Sequence, residues 1–463
     1  MDCPTKNAAV LDPSWVDEVL LAGPAADICL RLPEPVDRST LRHLIGAAQT
    51  RLTAAGLRAG GAAALRLPPS LAYVVNLLAT WRLGAQAVLL DHRLTDHEVD
   101  RALARLTPQV VVAPVRSGGG ALRVFVEVTE GVVPFSAHPA VSGHAVIQLS
   151  SGSTGPSKVI GRTAADLIAE VRRYTRIDGV ALPGERIILL PSMVHVLGLV
   201  GGLLYGLHAG VELVGPERLV GDAVLASIRA QNTPATVLGV PFHIGLLASC
   251  RADGPLPQLI RMTTGGELVP AATVQAFTDR FGVPLGNMYG MTEVGVIGTD
   301  LYGRNRPAVV PAPGIEVRVV GGELQVSCPA SPYVGLTDPG RWADGWLHTR
   351  DAGIVDAATG LVTIKGRLDS QVSVGGLKVD LTEVEATLTA LPGVAAAVVV
   401  QDDGITAYVQ PDGPLSEAAL EELLAERLAG YKRPRTLHLL DRLPRTTTGK
   451  LVRAVPVLRA ALP

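Results

Sequence analysis

Between residues 38 and 113 helix-length stretches alternate with short apolar runs, and no other feature restricts the fold as much. Helical periodicity covers 38–55, 71–83 and 96–106, and apolar runs that read as strands cover 62–67, 85–90 and 110–113. Strands separated by helices of this length pair in parallel, because a parallel crossover needs about a dozen residues or more. Such strands are covered on both faces, which explains why they are mostly apolar instead of alternating. The pattern resumes at 187–190, 210–214, 235–238 and 259–263. After about residue 311 the texture changes. Residues 315–320 and 323–327 alternate apolar and polar side chains around Gly321-Gly322, a hairpin signal. With 345–349 and 361–364 they predict a small barrel-like or antiparallel module over about 311–365. A boundary falls near 366–370, beyond which helices at 381–390 and 416–427 flank strands at 394–400 and 405–409. The expectation is an α/β protein with a large N-terminal domain of parallel or mixed sheets, 1–368, and a small α+β domain, 369–463.

The formal net charge of -2 carries no polyanion signature, so nucleic-acid binding is not expected. The basic cluster Arg433, Arg435, Arg442 and Arg445, beside Lys432 and Lys450, reads as a solvated face. Cys3, Cys29, Cys250 and Cys328 have neither metal-ligand spacing nor a disulfide framework, which fits a reducing compartment. Residues 1–6 lack the basic start and apolar run of a signal peptide, so the expected location is cytoplasmic. The uncharged stretch 187–211 is long enough to span a bilayer, but Pro191, His195, His208 and its glycines interrupt it, and a buried helix is expected.

Five polar segments interrupt the apolar pattern. Ser150-Ser151-Gly152-Ser153-Thr154-Gly155-Pro156-Ser157-Lys158 ends in one of only six lysines in the chain, between an apolar run and the helical stretch 164–173. Glycine lets backbone N–H groups turn toward an anion, hydroxyls add donors and lysine adds charge, so the segment reads as a phosphate loop. It is not a Walker A loop, because Val159 follows the lysine. Gly265-Gly266-Glu267 follows the strand 259–263. Asn287-Met288-Tyr289-Gly290-Met291-Thr292-Glu293 places a ring, a hydroxyl and a carboxylate at a strand end, where ligands bind in open α/β sheets. His348-Thr349-Arg350-Asp351 is followed by Gly366-Arg367-Leu368-Asp369. Pro444-Arg445-Thr446-Thr447-Thr448-Gly449-Lys450 is a second hydroxyl-rich loop ending in lysine. Each alone is also compatible with a polar surface turn.

Together, and in this order, these segments resemble the adenylate-forming superfamily of acyl- and aryl-CoA synthetases, luciferases and nonribosomal peptide synthetase adenylation domains. The loop 150–158 is similar to its phosphate loop, Tyr289 to Glu293 to its YGxTE motif and 345–351 to GWxxTGD. Residues 366–369 with Gly375-Gly376 resemble its hinge and following loop, and Lys450 closes PxTxxGK. The resemblance implies an AMP-forming ligase that uses ATP and Mg2+. It implies Lys450 as the adenylation lysine, Thr292 on the α-phosphate, Glu293 on the metal, and Asp351 with Arg367 on the ribose. Tyr289, Gly290 and Asn287 would face adenine, with Gly266 and Glu267 nearby. Ser151, Gly152, Ser153, Thr154, Gly155 and Lys158 would hold the other phosphates. The C-terminal domain is implied to be mobile about Asp369, bringing Gly375 and Gly376 to the channel of the thiol arm.

Departures are Ser157 and Val159 around the loop lysine, Arg350 in place of the glycine before Asp351, and an N-terminal region shorter than usual. The resemblance places His195, Val196, Gly265 and Met291 at the acid pocket, with His195 as the gate. Amino-acid-activating relatives carry an aspartate where Val196 stands. A buried ammonium without a counter-charge is badly desolvated, so an aryl or short-to-medium aliphatic acid is expected. The acceptor is coenzyme A or, alternatively, an acidic carrier protein in trans, and Lys432, Arg433 and Arg435 would serve either. A homodimer is a further expected partnership, and membrane insertion is not expected.

Overall fold

The computed structural model describes residues 12–116, 125–126, 128–150, 158–250, 255–266, 269, 271–368, 370–444 and 451–462. They form two compact units. The first comprises Met1–His92, Leu106–Leu149 and Val159–Gly366, and the second Arg93–Arg105, Ser150–Lys158 and Arg367–Pro463.

The first unit holds two large sheets. One has the order Thr129–Pro134, Val110–Arg116, Ala62–Leu65, Gln86–Leu89, Val146–Ser150, Lys158–Arg162. Its four central strands, 62–65, 86–89, 110–116 and 146–150, run parallel. The strands Ala62–Leu65 and Gln86–Leu89 are buried at every position, as their largely apolar pattern predicts. The helices between them start where side chains satisfy the free N–H groups of a first turn: Asp37 accepts from Thr40, and Ser70 from Tyr73.

The other sheet is mixed. Strands Ile28–Arg31, Glu212–Val214, Arg186–Leu189, Ala235–Gly239, Leu259–Gly265 and Leu285–Met291 pair in parallel. From Gly295–Asp300 onward the pairing is antiparallel, through Ala308–Pro311 and Val362–Arg367 to Trp346–Val355 and the hairpin Val317–Val320/Glu323–Ser327. The antiparallel strands are thus continuous with the parallel ones. The change of direction falls beside Leu285–Met291, the strand carrying the tyrosine of the third polar segment.

One expectation is corrected here. The hydroxyl-rich segment does not run straight into a helix: Lys158 opens a further strand, Lys158–Arg162, buried at all five positions. Helix Ala164–Tyr174 begins only after Thr163, whose side chain forms a capping box with Asp166. Val159 and Ile160, β-branched and adjacent, favour the strand.

Helix Ala164–Tyr174 carries Glu170, which is fully buried and lies 2.5 Å from Arg162, itself 4 % exposed. Its other oxygen accepts from the backbone N–H of Val296, 2.9 Å away. One carboxylate therefore joins a strand of the first sheet to a strand of the second. At Gly295 a Cβ would come within 2.1 Å of Glu170 Oε1, so a glycine is needed there.

In the stretch 187–211, strand Arg186–Leu189 is followed by a π-type helix, Leu197–Leu204, and an α-helical turn, Tyr205–Ala209. Among the described residues no helix is long and apolar enough to cross a membrane.

In the second unit, strands Val394–Asp402, Gly404–Pro411 and Thr436–Leu439 form a sheet with helices Leu381–Thr389 and Glu417–Arg427. A separate hairpin pairs Gln371–Val374 with Leu377–Asp380. Its two-residue turn is Gly375-Gly376, with φ of 56° and 81°, as a primed turn requires. Lys432 is buried and donates to Glu98 (2.7 Å) and Glu383 (3.2 Å). Burial pulls its pKa down, but Glu383, Tyr431 and Glu98 outweigh that and raise it. Lys432 is therefore not part of a solvated basic face, whereas Arg433 and Arg435 are exposed.

Replacing Glu170 with alanine strands a buried guanidinium, and we expect unfolding free energy to fall by about 3–5 kcal/mol in chemical denaturation. The double change Arg162→Met with Glu170→Leu should recover much of that loss. A double variant no better than the single one would show that the carboxylate acts through Val296 alone.

Candidate active site

Strand Leu285–Met291 ends the parallel part of the mixed sheet, and the tight connection 292–294 returns the chain as Gly295–Asp300. Tyr289, Gly290, Met291, Thr292 and Glu293 are half-buried, as a surface open to a ligand requires. At Gly290 a Cβ would lie 2.6 Å from the Gly295 carbonyl oxygen, so the glycine permits the close return. Asn287 is half-buried two positions before Tyr289 and pairs in register with Asp300.

The tyrosine and the aspartate predicted for base and ribose come together. Tyr289 donates through its hydroxyl to Asp351 Oδ2 at 2.7 Å. Asp351 is buried, and its backbone N–H donates to Thr349 Oγ1, which in turn donates to the Leu324 carbonyl. The preceding residue, Arg350, sits at φ 61°, a left-handed conformation that costs a non-glycine residue roughly 1–2 kcal/mol. Glu323 holds it there: Oε1 accepts the Arg350 backbone N–H at 2.9 Å, and Oε2 lies 3.0 Å from His348 Nδ1. The Arg350 guanidinium folds back to donate to the Gly340 carbonyl at 2.5 Å. Its charge is thereby spent on the loop at 338–341.

Glu293 accepts at Oε1 from the Tyr333 hydroxyl, 3.1 Å away. Burial first, and Glu293 second, push the tyrosine pKa far up, so the hydroxyl remains a donor. The second Glu293 oxygen is not used in this bond. One carboxylate oxygen plus substrate phosphates is how Mg2+ is commonly bound. Among the described residues no cluster of three or more His, Cys, Asp or Glu stands ready to hold a metal alone. The single Glu293 carboxylate, with one oxygen held by Tyr333, fits a cation that also takes phosphate oxygens.

At the predicted acid pocket, His195 and Val196 immediately precede the π-type helix. The loop before them is pinned from the core by Tyr73, donating to the Met193 carbonyl at 2.9 Å, and by Gln148, donating to the Val194 carbonyl at 2.5 Å. His195 Nε2 lies 3.5 Å from Asp91 Oδ2, and His92 Nδ1 lies 3.6 Å from the other oxygen of that aspartate. Gly265 approaches the neighbouring strand so closely that a Cβ would lie 2.7 Å from the Met288 carbonyl oxygen and 3.6 Å from Leu197. Gly266 follows at φ 94°. Met291 packs with Val294 against the cluster of Ile160, Cys328, Tyr333 and Leu347.

In the second unit, Arg367 donates to Gln371 at 3.2 Å, and Gly375 and Gly376 form the hairpin turn already described. Lys158 is buried at the head of its strand. Ser151, Gly152, Ser153, Thr154, Gly155, Glu267, Asp369 and Lys450 lie outside the described residues. Asp91, Glu323, Tyr333 and Glu170 have no counterpart in the sequence reasoning. Only Asp91 carried a usable signal, since it follows directly on an apolar parallel strand.

A mixed sheet with ring, hydroxyl and carboxylates at the edge of its parallel part, joined to a smaller α+β unit, is the architecture of adenylate-forming ligases. Residues 39–332 match the AMP-binding enzyme family and 383–450 the AMP-binding enzyme C-terminal domain. The chain belongs to this family and is an ATP-dependent, adenylate-forming ligase. It is 28 % identical to a 2-succinylbenzoate–CoA ligase of Bacillus licheniformis, over 87 % of this chain and 90 % of that one. It is 29 % identical to a 3-hydroxybenzoate/4-hydroxybenzoate–CoA ligase of Thauera aromatica, over 90 % and 89 %. The o-succinylbenzoate CoA synthetase structure from Bacillus subtilis shares its fold with a TM-score of 0.81 at 23 % identity, covering 97 % of this chain and 99 % of that one.

Replacing Glu323 with alanine leaves a backbone donor unmade and releases the strained residue before Asp351. We expect a stability loss of about 1–3 kcal/mol and a several-fold rise in KM for ATP in pyrophosphate exchange. An unchanged KM at reduced stability would mean that Arg350 does not set the position of Asp351.

Proposed function

We propose that the protein activates a carboxylic acid lacking an α-amine, aryl or short-to-medium aliphatic, and transfers it to the thiol of coenzyme A. One observation carries the choice of acid. Val196 offers no counter-charge, and the nearby buried carboxylate, Asp91, already faces His195 and His92. An ammonium placed there would lose its hydration without a free anion. The aryl acids and coenzyme A in the names of the two ligases favour the same chemistry.

In the first half-reaction a carboxylate oxygen of the acid attacks the α-phosphorus of ATP, and the bond to pyrophosphate breaks. Thr292 donates to the α-phosphate, and Lys450 holds the attacking carboxylate and the phosphate together, countering charge that grows in the transition state. Asp351 and Arg367 hold the ribose, and Tyr289 with Asn287 faces the base. Lys158 and the hydroxyls of its loop hold the departing phosphates. Glu293 would hold Mg2+, which when bound supplies neutralising charge on the triphosphate. In the second half-reaction the thiol sulfur attacks the acyl carbon and AMP leaves. Gly375 and Gly376 leave room for the arm, Asp369 serves as the hinge, and His195 acts as the gate.

The decisive experiment is pyrophosphate release from a panel of benzoates, aliphatic acids and α-amino acids, without acceptor and then with coenzyme A or an acidic carrier protein. Acids without an α-amine should lead the panel, and coenzyme A should accept the acyl group. An amino acid as best substrate would overturn the acid assignment, and transfer only to the carrier protein would overturn the acceptor. Val196→Asp should reduce activity with the preferred acid, because an unpaired carboxylate enters an apolar wall.

Changing Lys450 to alanine should abolish acid-dependent pyrophosphate exchange and leave thioester formation from presynthesised acyl-adenylate largely intact. Equal loss of both activities would remove this lysine from the first half-reaction alone.

A further inference from the structure

Tyr333 touches two parts of the site at once. Its backbone is bridged to Ile160, in the strand that opens at Lys158. Gly161 N–H donates to the Pro332 carbonyl at 2.8 Å, and Val334 N–H to the Val159 carbonyl at 2.9 Å. Its hydroxyl meanwhile donates to Glu293 Oε1. The ring is 8 % exposed and packs with Ile160, Cys328 and Leu347. Met291 and Val294, which flank Thr292 and Glu293, pack against the same cluster.

We propose that Tyr333 is a positioning residue for cation binding, setting the orientation of the Glu293 carboxylate relative to the strand that leaves the phosphate loop. A glutamate in a turn has three rotatable torsions and no intrinsic preference for one direction. A hydrogen bond to one oxygen removes that freedom and turns the carboxylate as a unit. Because the donor's backbone is held to residues 159–161, the turn carrying the carboxylate and the strand following Lys158 are placed by one residue. A partner that orients a metal ligand affects affinity without touching the metal, commonly by about 10–100-fold. The proposal rests on Glu293 being the metal carboxylate.

The test is a titration of Mn2+, read by electron paramagnetic resonance, into the full-length enzyme saturated with α,β-methylene-ATP. Tyr333→Phe keeps the ring in its cluster and deletes only the donor. We expect it to weaken Mn2+ binding about tenfold, to leave binding of the nucleotide without metal unchanged, and to regain pyrophosphate exchange at high Mg2+. Tyr333→Met, which keeps apolar bulk, should weaken Mn2+ equally. Glu293→Gln separates the two assignments. If it loses Mn2+ while both tyrosine variants titrate like the native protein, the tyrosine is only a core ring and the proposal fails. If Glu293→Gln also binds Mn2+ normally, the metal assignment of Glu293 fails, and the proposal falls with it.

Discussion

The buried contact between Arg162 and Glu170 is the constraint on which the rest of the first unit depends. The strand that follows the hydroxyl-rich loop belongs to one sheet, and the strand that follows Thr292-Glu293 belongs to another. The proposed adenylation chemistry needs both to be held at fixed separation, because Lys158 opens one and Thr292 and Glu293 immediately precede the other. Glu170 meets Arg162 with one oxygen and the backbone of Val296 with the other. Desolvating two charges is expensive, and an apolar pair of similar volume can stabilise a fold as well or better. The ionic version adds direction: the carboxylate accepts from one backbone N–H and thereby selects one register.

The nucleotide side is pre-organised by strain held in place from outside. Arg350 occupies a conformation better suited to glycine, and Glu323, on the adjacent strand, supplies the acceptor that keeps it there. That turn orients Asp351 toward Tyr289 before any ligand arrives. Catalytic groups that need no reorganisation contribute more than groups that must first be ordered. The departure from glycine at 350 therefore leaves Asp351, the proposed ribose ligand, in place, since the guanidinium is directed to Gly340. Gly265, Gly290 and Gly295 work by the opposite device, letting backbones and a carboxylate approach where a Cβ would collide.

Polar groups at the acid side are few, and each has work inside the protein. Tyr73 and Gln148 hold the loop that carries His195, and Asp91 faces two histidines. In the proposed acid pocket, selectivity would follow from shape and from Asp91 already facing two histidines. This is the pattern of small-molecule sites that are mainly apolar with a few placed polar groups.

Local pattern was enough for most of the fold. Alternation of helix-length and strand-length apolar runs specifies parallel pairing because the crossover length allows no other connection, and the helices at 38–54, 71–82 and 96–106 and their strands lie where the periodicity put them. The hairpin at Gly321-Gly322 was legible because its turn type demands positive φ. The motif segments were legible because particular side chains at short fixed spacings mark the AMP-binding enzyme family to which the chain belongs. The strand at 158–162 was missed because Lys158, Gly161 and Arg162 leave only Val159 and Ile160 as an apolar signal within it. Asp91 carried a signal in its place just after an apolar parallel strand, but Glu170, Glu323 and Tyr333 could not be read at all. Their partners lie far along the chain, 126 residues away for Glu170 and Val296 and 40 for Tyr333 and Glu293. A glutamate on an amphipathic helix or a tyrosine in a loop looks like any surface residue until the fold brings its partner near. The sequence by itself determined the class of fold and the chemistry of adenylation, because both are written in short-range spacing. Only the tertiary structure decided which buried groups hold that chemistry in position, because hydrogen bonds and ion pairs depend on distance in space.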